Sequence, residues 1–125
     1  MQLYLMLGAI CAFVGVGLGA FGAHGLKTIL EPDMLAVYQT GVTYQMWHSL
    51  GLILVALLSQ NAPENKWLIF AGRFMFVGIV LFSGSLYLLA LLKLKWLGMI
   101  TPFGGLCFLA AWLSIAVFSF THRNH

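Results

Sequence analysis

Two histidines carry most of the chemistry this sequence offers. His24 ends the run Gly19-Ala20-Phe21-Gly22-Ala23-His24-Gly25, and His48 ends Tyr44-Gln45-Met46-Trp47-His48. A histidine inside or at the edge of an apolar segment can ligate haem or a metal, or relay a proton. Thr40, Tyr44 and His48 recur at i, i+4 and i+8, which lines them along one helix face with Gln45 one step round from it. Further on, Phe82-Ser83-Gly84-Ser85-Leu86-Tyr87 sets two hydroxyls around a glycine. Thr40, Tyr44, Gln45, His48, Ser83 and Ser85 are therefore the candidate intramembrane polar cluster, and such a stripe should face protein or trapped water rather than lipid. His24 is the candidate polar residue at a helix end.

Each candidate has a plain structural reading. His24 can satisfy free carbonyls at its helix end, and His48 can bond Tyr44 or a serine across a bundle. Each serine can bond a carbonyl one turn back on its own helix. Haem held by two histidines needs both at similar depth. On a helix beginning near Met34, His48 lies about 21 Å along the axis, well below the level of His24. Cys-x-x-Cys-His does not occur, and the one His pair at i, i+3, His122 and His125, lies in the C-terminal tail rather than in an apolar block, so no cofactor and no metal are expected. Ser83 or Ser85 with His48 lacks an acid to orient the imidazole, so no catalytic residue is expected. Glu31, Asp33 and Glu64 all fall in loops, which removes the carboxylate that proton-coupled exporters use. A proton path through His48, Tyr44 and Gln45 keeps small-solute or proton-linked transport as an alternative function, with haem or other ligand binding as a further one. His122 and His125 belong to an exposed, solvated tail.

The elements that position these residues follow from composition. The 125-residue chain is 62 % hydrophobic and 7 % charged, and its charges divide it into four apolar blocks. One all-α domain is expected, an integral membrane four-helix bundle with spans near residues 3–23, 34–58, 67–92 and 98–120. The first block, 21 residues from Leu3 to Ala23, is about 31 Å long as a helix, the thickness of a hydrocarbon core. It has no Lys or Arg ahead of it and is too long for a signal core, so it is read as a span. Gly25 is the expected stop of this helix. Glu31 or Asp33 should cap the second and Thr101 the fourth. Purely apolar sequence in the second block runs only from Leu50 to Leu58, so its helix must start near Met34 and carry the polar stripe into the membrane.

Gly8, Ala12, Gly15, Gly19 and Gly22 recur at intervals of 4, 3, 4 and 3, and Gly104, Cys107, Ala111 and Ser114 at 3, 4 and 3. Small residues on one face let helix backbones approach closely. These faces predict that the first and fourth helices pack against each other or against another copy. Cys11 and Cys107, each in mid-block, are expected as free thiols. Lys66, Arg73 and Arg123 on one side of the membrane balance Lys27, Lys93 and Lys95 on the other. The amine of Met1 tips the expectation toward cytoplasmic termini. A net charge of +3 on so apolar a chain points to anionic headgroups and excludes nucleic acid as a partner.

The runs around His24, His48 and Ser83, with Thr101-Pro102-Phe103-Gly104-Gly105, resemble in order and spacing domain-of-unknown-function family 423. These are small bacterial inner-membrane proteins with eukaryotic small transmembrane relatives. The resemblance covers nearly the whole chain and implies a four-helix integral protein of the bacterial inner membrane. It brings no assigned activity and no catalytic residue. By elimination the expected function is structural or accessory, with the lipid bilayer, a homo-oligomer or a larger membrane complex as partners.

Overall fold

A chain this apolar can satisfy its backbone in hydrocarbon only by bonding each amide within its own segment, and every apolar block becomes a helix. The computed structural model describes residues 2–122, so Met1, Arg123 and His125 of the sequence reading lie outside the described residues. Helix α1 runs Gln2–Leu26, α2 Pro32–Ser59 and α3 Lys66–Leu92. Helix α4 runs Thr101–Thr121 after a 3-10 turn at Lys95–Met99. All four are long and apolar enough to cross a membrane, and the described residues contain no strand.

The helix ends depart from expectation in informative ways. Helix α1 does not stop at a left-handed Gly25; its last turn, Gly22–Leu26, widens to π geometry, and no described glycine has a positive φ. The Leu26 carbonyl accepts from the amides of Ile29 (3.0 Å) and Leu30 (2.9 Å), which closes the end without a glycine cap. Glu31 occupies the N-cap position of α2 but makes no side-chain cap bond. Thr101 does not cap α4 either, because its hydroxyl is turned toward α3. Asn65 does cap α3, accepting from the amide of Trp67 at 3.0 Å. Among the described residues the one left-handed residue is Lys93 (φ 59°), which ends α3 and turns the chain toward α4.

Within α3 a second π turn spans Ile79–Ser83, and the Gly84 amide reaches back five residues to the Ile79 carbonyl. A π turn adds a residue to the helical repeat and so rotates the side chains that follow it. It changes what Phe82 and Ser83 face.

Helices α2 and α3 form the centre, with 44 % and 39 % of their most apolar stretch buried, whereas α1 at 11 % is peripheral and packs through one face. Helix α1 packs on α2, α2 on α3, and α3 on α4. Leu52, Met75, Ile79, Phe108 and Ala111 make the central core, with Tyr4, Leu7 and Cys11 of α1 packed against it. Cys11 and Cys107 are free thiols.

This arrangement corrects the expected use of the small-residue faces. The α1 face is spent on α2: Gly8 sits against Ser49 and Ile53, Gly15 against Met46 and Gln45, Gly19 against Val42 and Gly22 against Tyr38, with Ala12 half-buried in the same row. The α4 face meets α3, where Gly104 lies directly on the backbone of Phe82, and Ala111 and Ser114 are buried with Cys107 half-buried. Short connections hold α1 beside α2 and α3 beside α4, so each seam closes on its sequence neighbour.

The glycines therefore divide sharply. A Cβ at Gly8 would stand 2.8 Å from the Ser49 carbonyl oxygen, and one at Gly104 would collide with main chain. Gly17 has no neighbouring atom within 4 Å of such a Cβ. Gly104→Ala is expected to destabilise the bundle by about 1–3 kcal/mol through overpacking. Gly17→Ala should instead stabilise it by about 0.5–1 kcal/mol, since only the backbone entropy of the unfolded chain changes. Thermal unfolding of both variants in mild detergent, followed by circular dichroism, checks this; equal melting shifts would contradict the packing.

Candidate functional site

Gln45 stands at the middle of α2, 4 % exposed, with both ends of its amide engaged. Its Nε2 donates to the Cys11 carbonyl on α1 at 2.8 Å. Its Oε1 accepts from the Tyr87 hydroxyl on α3 at 2.5 Å. One side chain thus ties three helices together. Around it, Ser49 donates to the Gln45 carbonyl (2.5 Å) and Ser83 on α3 donates to the Gly41 carbonyl on α2 (2.7 Å). Gly41 allows that approach, because a Cβ there would meet the Tyr87 ring at 2.8 Å.

Other links join the remaining neighbours. Tyr38 donates to the Leu18 carbonyl on α1 (2.6 Å), and Tyr4 of α1 donates to the Ile69 carbonyl on α3 (3.2 Å). Ser85 and Thr101 share a hydrogen bond at 2.5 Å between α3 and the start of α4. No fully buried side-chain polar atom among the described residues is left without a partner.

His48 is 5 % exposed and bridges α2 to α4. Its Nδ1 lies 2.7 Å from the Tyr44 carbonyl, which can only accept, so Nδ1 carries the proton. The Trp112 indole N–H donates to Nε2 at 2.9 Å. Both partners agree on one neutral tautomer. The Phe108 ring stacks on the imidazole with centroids 3.5 Å apart. A metal or haem iron would have to displace Trp112 to reach a lone pair, and among the described residues no three His, Cys, Asp or Glu converge on a metal site.

The predicted cluster is thus brought together in part. Gln45, His48, Ser83 and Ser85 are buried between helices. Thr40 is not: it is exposed and bonds the Ala36 carbonyl of its own helix at 2.9 Å. Tyr44 is 42 % exposed. The inward face of α2 is set by Gly41, Gln45, His48, Ser49 and Leu52, about one position round from the stripe through Thr40. Ser85 bonds the Phe82 carbonyl at 2.9 Å as well as Thr101. Ser83 skips its own helix for Gly41, because the π turn re-aims it. His24 lies exposed in the π turn of α1 and makes no side-chain hydrogen bond to the helix end. His122 is half-buried, its ring stacked 5.0 Å from that of Phe118, rather than solvated.

Sequence reasoning missed Tyr4, Tyr38, Tyr87 and Trp112 as partners in this network. The available signal was that tyrosine and tryptophan lying deep in an apolar span need somewhere to put an O–H or N–H. Trp112 also edges a cleft. Helices α2 and α4 do not close on each other, and between them Tyr44, His48, Phe82, Phe108, Leu109 and Trp112 line a concavity of about 510 Å³. It adjoins a second of about 330 Å³, reaching Thr43 and Trp47.

Comparison with known proteins agrees with this architecture. A family model described as "Protein of unknown function (DUF423)" matches residues 18–105. The chain is similar to UPF0382 membrane protein SH2409 of Staphylococcus haemolyticus, 47 % identical over 121 residues covering 96 % of this chain and 97 % of the relative. It is also similar to UPF0382 membrane protein YwdK of Bacillus subtilis, 49 % identical over 117 residues covering 94 % and 95 %. No solved structure matches. With a matched family model over most of its length, near-full-length relatives named as membrane proteins, and four helices able to span a bilayer, the chain belongs to the DUF423 family of integral membrane proteins.

Proposed function

We propose that the protein is a non-catalytic structural or accessory component of the membrane, a rigid bundle that acts through what its outer faces touch. The observation that carries this reading is where the buried polar groups are spent. Of the two side chains best suited to move a proton or hold a ligand, Gln45 has both ends committed to neighbouring helices, and His48 has one nitrogen on its own helix and the other on Trp112 of α4. A relay needs a group that can change partners, and in hydrocarbon each released donor or acceptor stays unsatisfied at a cost of several kcal/mol. The same residues are well suited to fixing helix register. Most of α1 is left to contact lipid or other proteins.

The reading predicts that Tyr87→Phe and Trp112→Phe each lower bundle stability by about 0.5–1.5 kcal/mol, from one lost interhelix hydrogen bond. Unfolding in mixed micelles measures this directly. Unchanged stability in both variants would mean that the network is not what holds the helices. Gentle extraction from the native membrane followed by native mass spectrometry is expected to show a fixed oligomer or a reproducible protein partner. Liposomes carrying the purified chain should pass protons no faster than empty ones when an internal pH dye is followed. Proton flux abolished by His48→Phe would replace this reading with transport.

A further inference from the structure

Three hydrogen-bond donors near the middle of α2 stand outside the network. The Thr43 hydroxyl, the Tyr44 hydroxyl and the Trp47 indole N–H have no intrachain partner among the described residues. All three side chains are exposed, Trp47 to 64 %. They lie about 17–23 Å along a helix about 42 Å long, at the middle of the span. That depth is unusual, since tryptophan prefers the interface and the hydrocarbon centre contains no water to bond. All three line the smaller of the two adjoining concavities that make up the α2/α4 cleft, and Tyr44 lines both.

The cleft has the form of a small-molecule site: concave, apolar, and edged by a few polar groups. Its walls are flat rings. Tyr44 packs against Phe82 at 4.6 Å, and Phe108 against His48 at 3.5 Å. Phe82 is turned into it from the π turn of α3. Gly105 on α4 removes a side chain from its border, with Phe82 3.9 Å from where a Cβ would stand.

We propose that this cleft binds a lipid-soluble quinone, its ring against the aromatic walls and its carbonyl oxygens accepting from Tyr44, Thr43 and Trp47. Such binding goes beyond the structural role above and rests on complementarity between cleft and ligand. Trp47 can only donate, so the occupant must bring acceptors to mid-membrane. Phospholipid ester carbonyls lie near the interface, about 15 Å away across a half-core. A second copy of the chain would present helix faces whose backbone carbonyls are already bonded, leaving only hydroxyl oxygens as acceptors. A flat, apolar molecule with ring carbonyls supplies both requirements at that depth.

The test uses the full chain in phosphatidylcholine nanodiscs, titrated with decylubiquinone and read by quenching of tryptophan emission, with stoichiometry taken by native mass spectrometry. Saturable binding of one quinone per chain is expected above the linear quenching of the lipid phase. Gly105→Leu, which occupies cleft volume, and Tyr44→Phe, which deletes one hydroxyl, should each weaken it about 10-fold or more. Decylbenzene, which has no acceptor, should compete about 10-fold worse or not at all. If Gly105→Leu fails to fold, Tyr44→Phe and Thr43→Val decide alone, since neither adds volume. No saturable binding, binding indifferent to these variants, or a retained phospholipid in place of quinone would overturn the proposal. So would a dimer crosslinked through Thr43→Cys, which would make a second copy the occupant.

Discussion

The structure depends on Gln45 having a partner at each end of its amide. In water an unbonded carboxamide costs little; in hydrocarbon it costs several kcal/mol. That penalty fixes geometry. The amide reaches Cys11 on one side and Tyr87 on the other only when α1, α2 and α3 hold one rotation and one vertical register. The His48 imidazole plays the same part toward α4, its two nitrogens divided between its own helix and Trp112. Apolar packing alone would specify less, because lipid tails compete with side chains for apolar contact.

Glycine makes these bonds possible at their observed lengths. Gly41 lets Tyr87 and Ser83 close on α2, and Gly8, Gly15 and Gly22 let α1 lie close enough for its Cys11 and Leu18 carbonyls to be reached. Gly104 admits the main chain of Phe82 where any side chain would hold α3 and α4 apart. Small residues and polar residues are therefore parts of one device. The first sets the distance between backbones, and the second spends that distance on hydrogen bonds.

The exception lies between α2 and α4. Aromatic rings rather than main chain meet there, and His48 and Trp112 span the gap by a side-chain bond alone. Phe82, carried on the π turn of α3, contributes one of these rings, its centroid 5.4 Å from that of Phe108. The result is an opening between α2 and α4 lined largely by aromatic rings.

The sequence by itself determined the number of helices, their limits to within a few residues, and the presence of a polar interior on the second. Hydrophobic length against bilayer thickness is a one-dimensional constraint, and it needs no knowledge of neighbours. Small-residue spacing likewise marked the faces that pack. Which helix meets each face was decided only in three dimensions, where short loops set α1 on α2 and α4 on α3 rather than on each other. Thr40 was read as interior because i+4 spacing cannot resolve a rotation of one residue; the partners of Gln45 and His48 did that. The direction of Ser83 depended on a π turn that leaves no signature in residue type. Tyr87 and Trp112 were legible as aromatics but not as donors, because a hydrogen bond between helices is a property of two segments and their distance, and sequence records the segments alone.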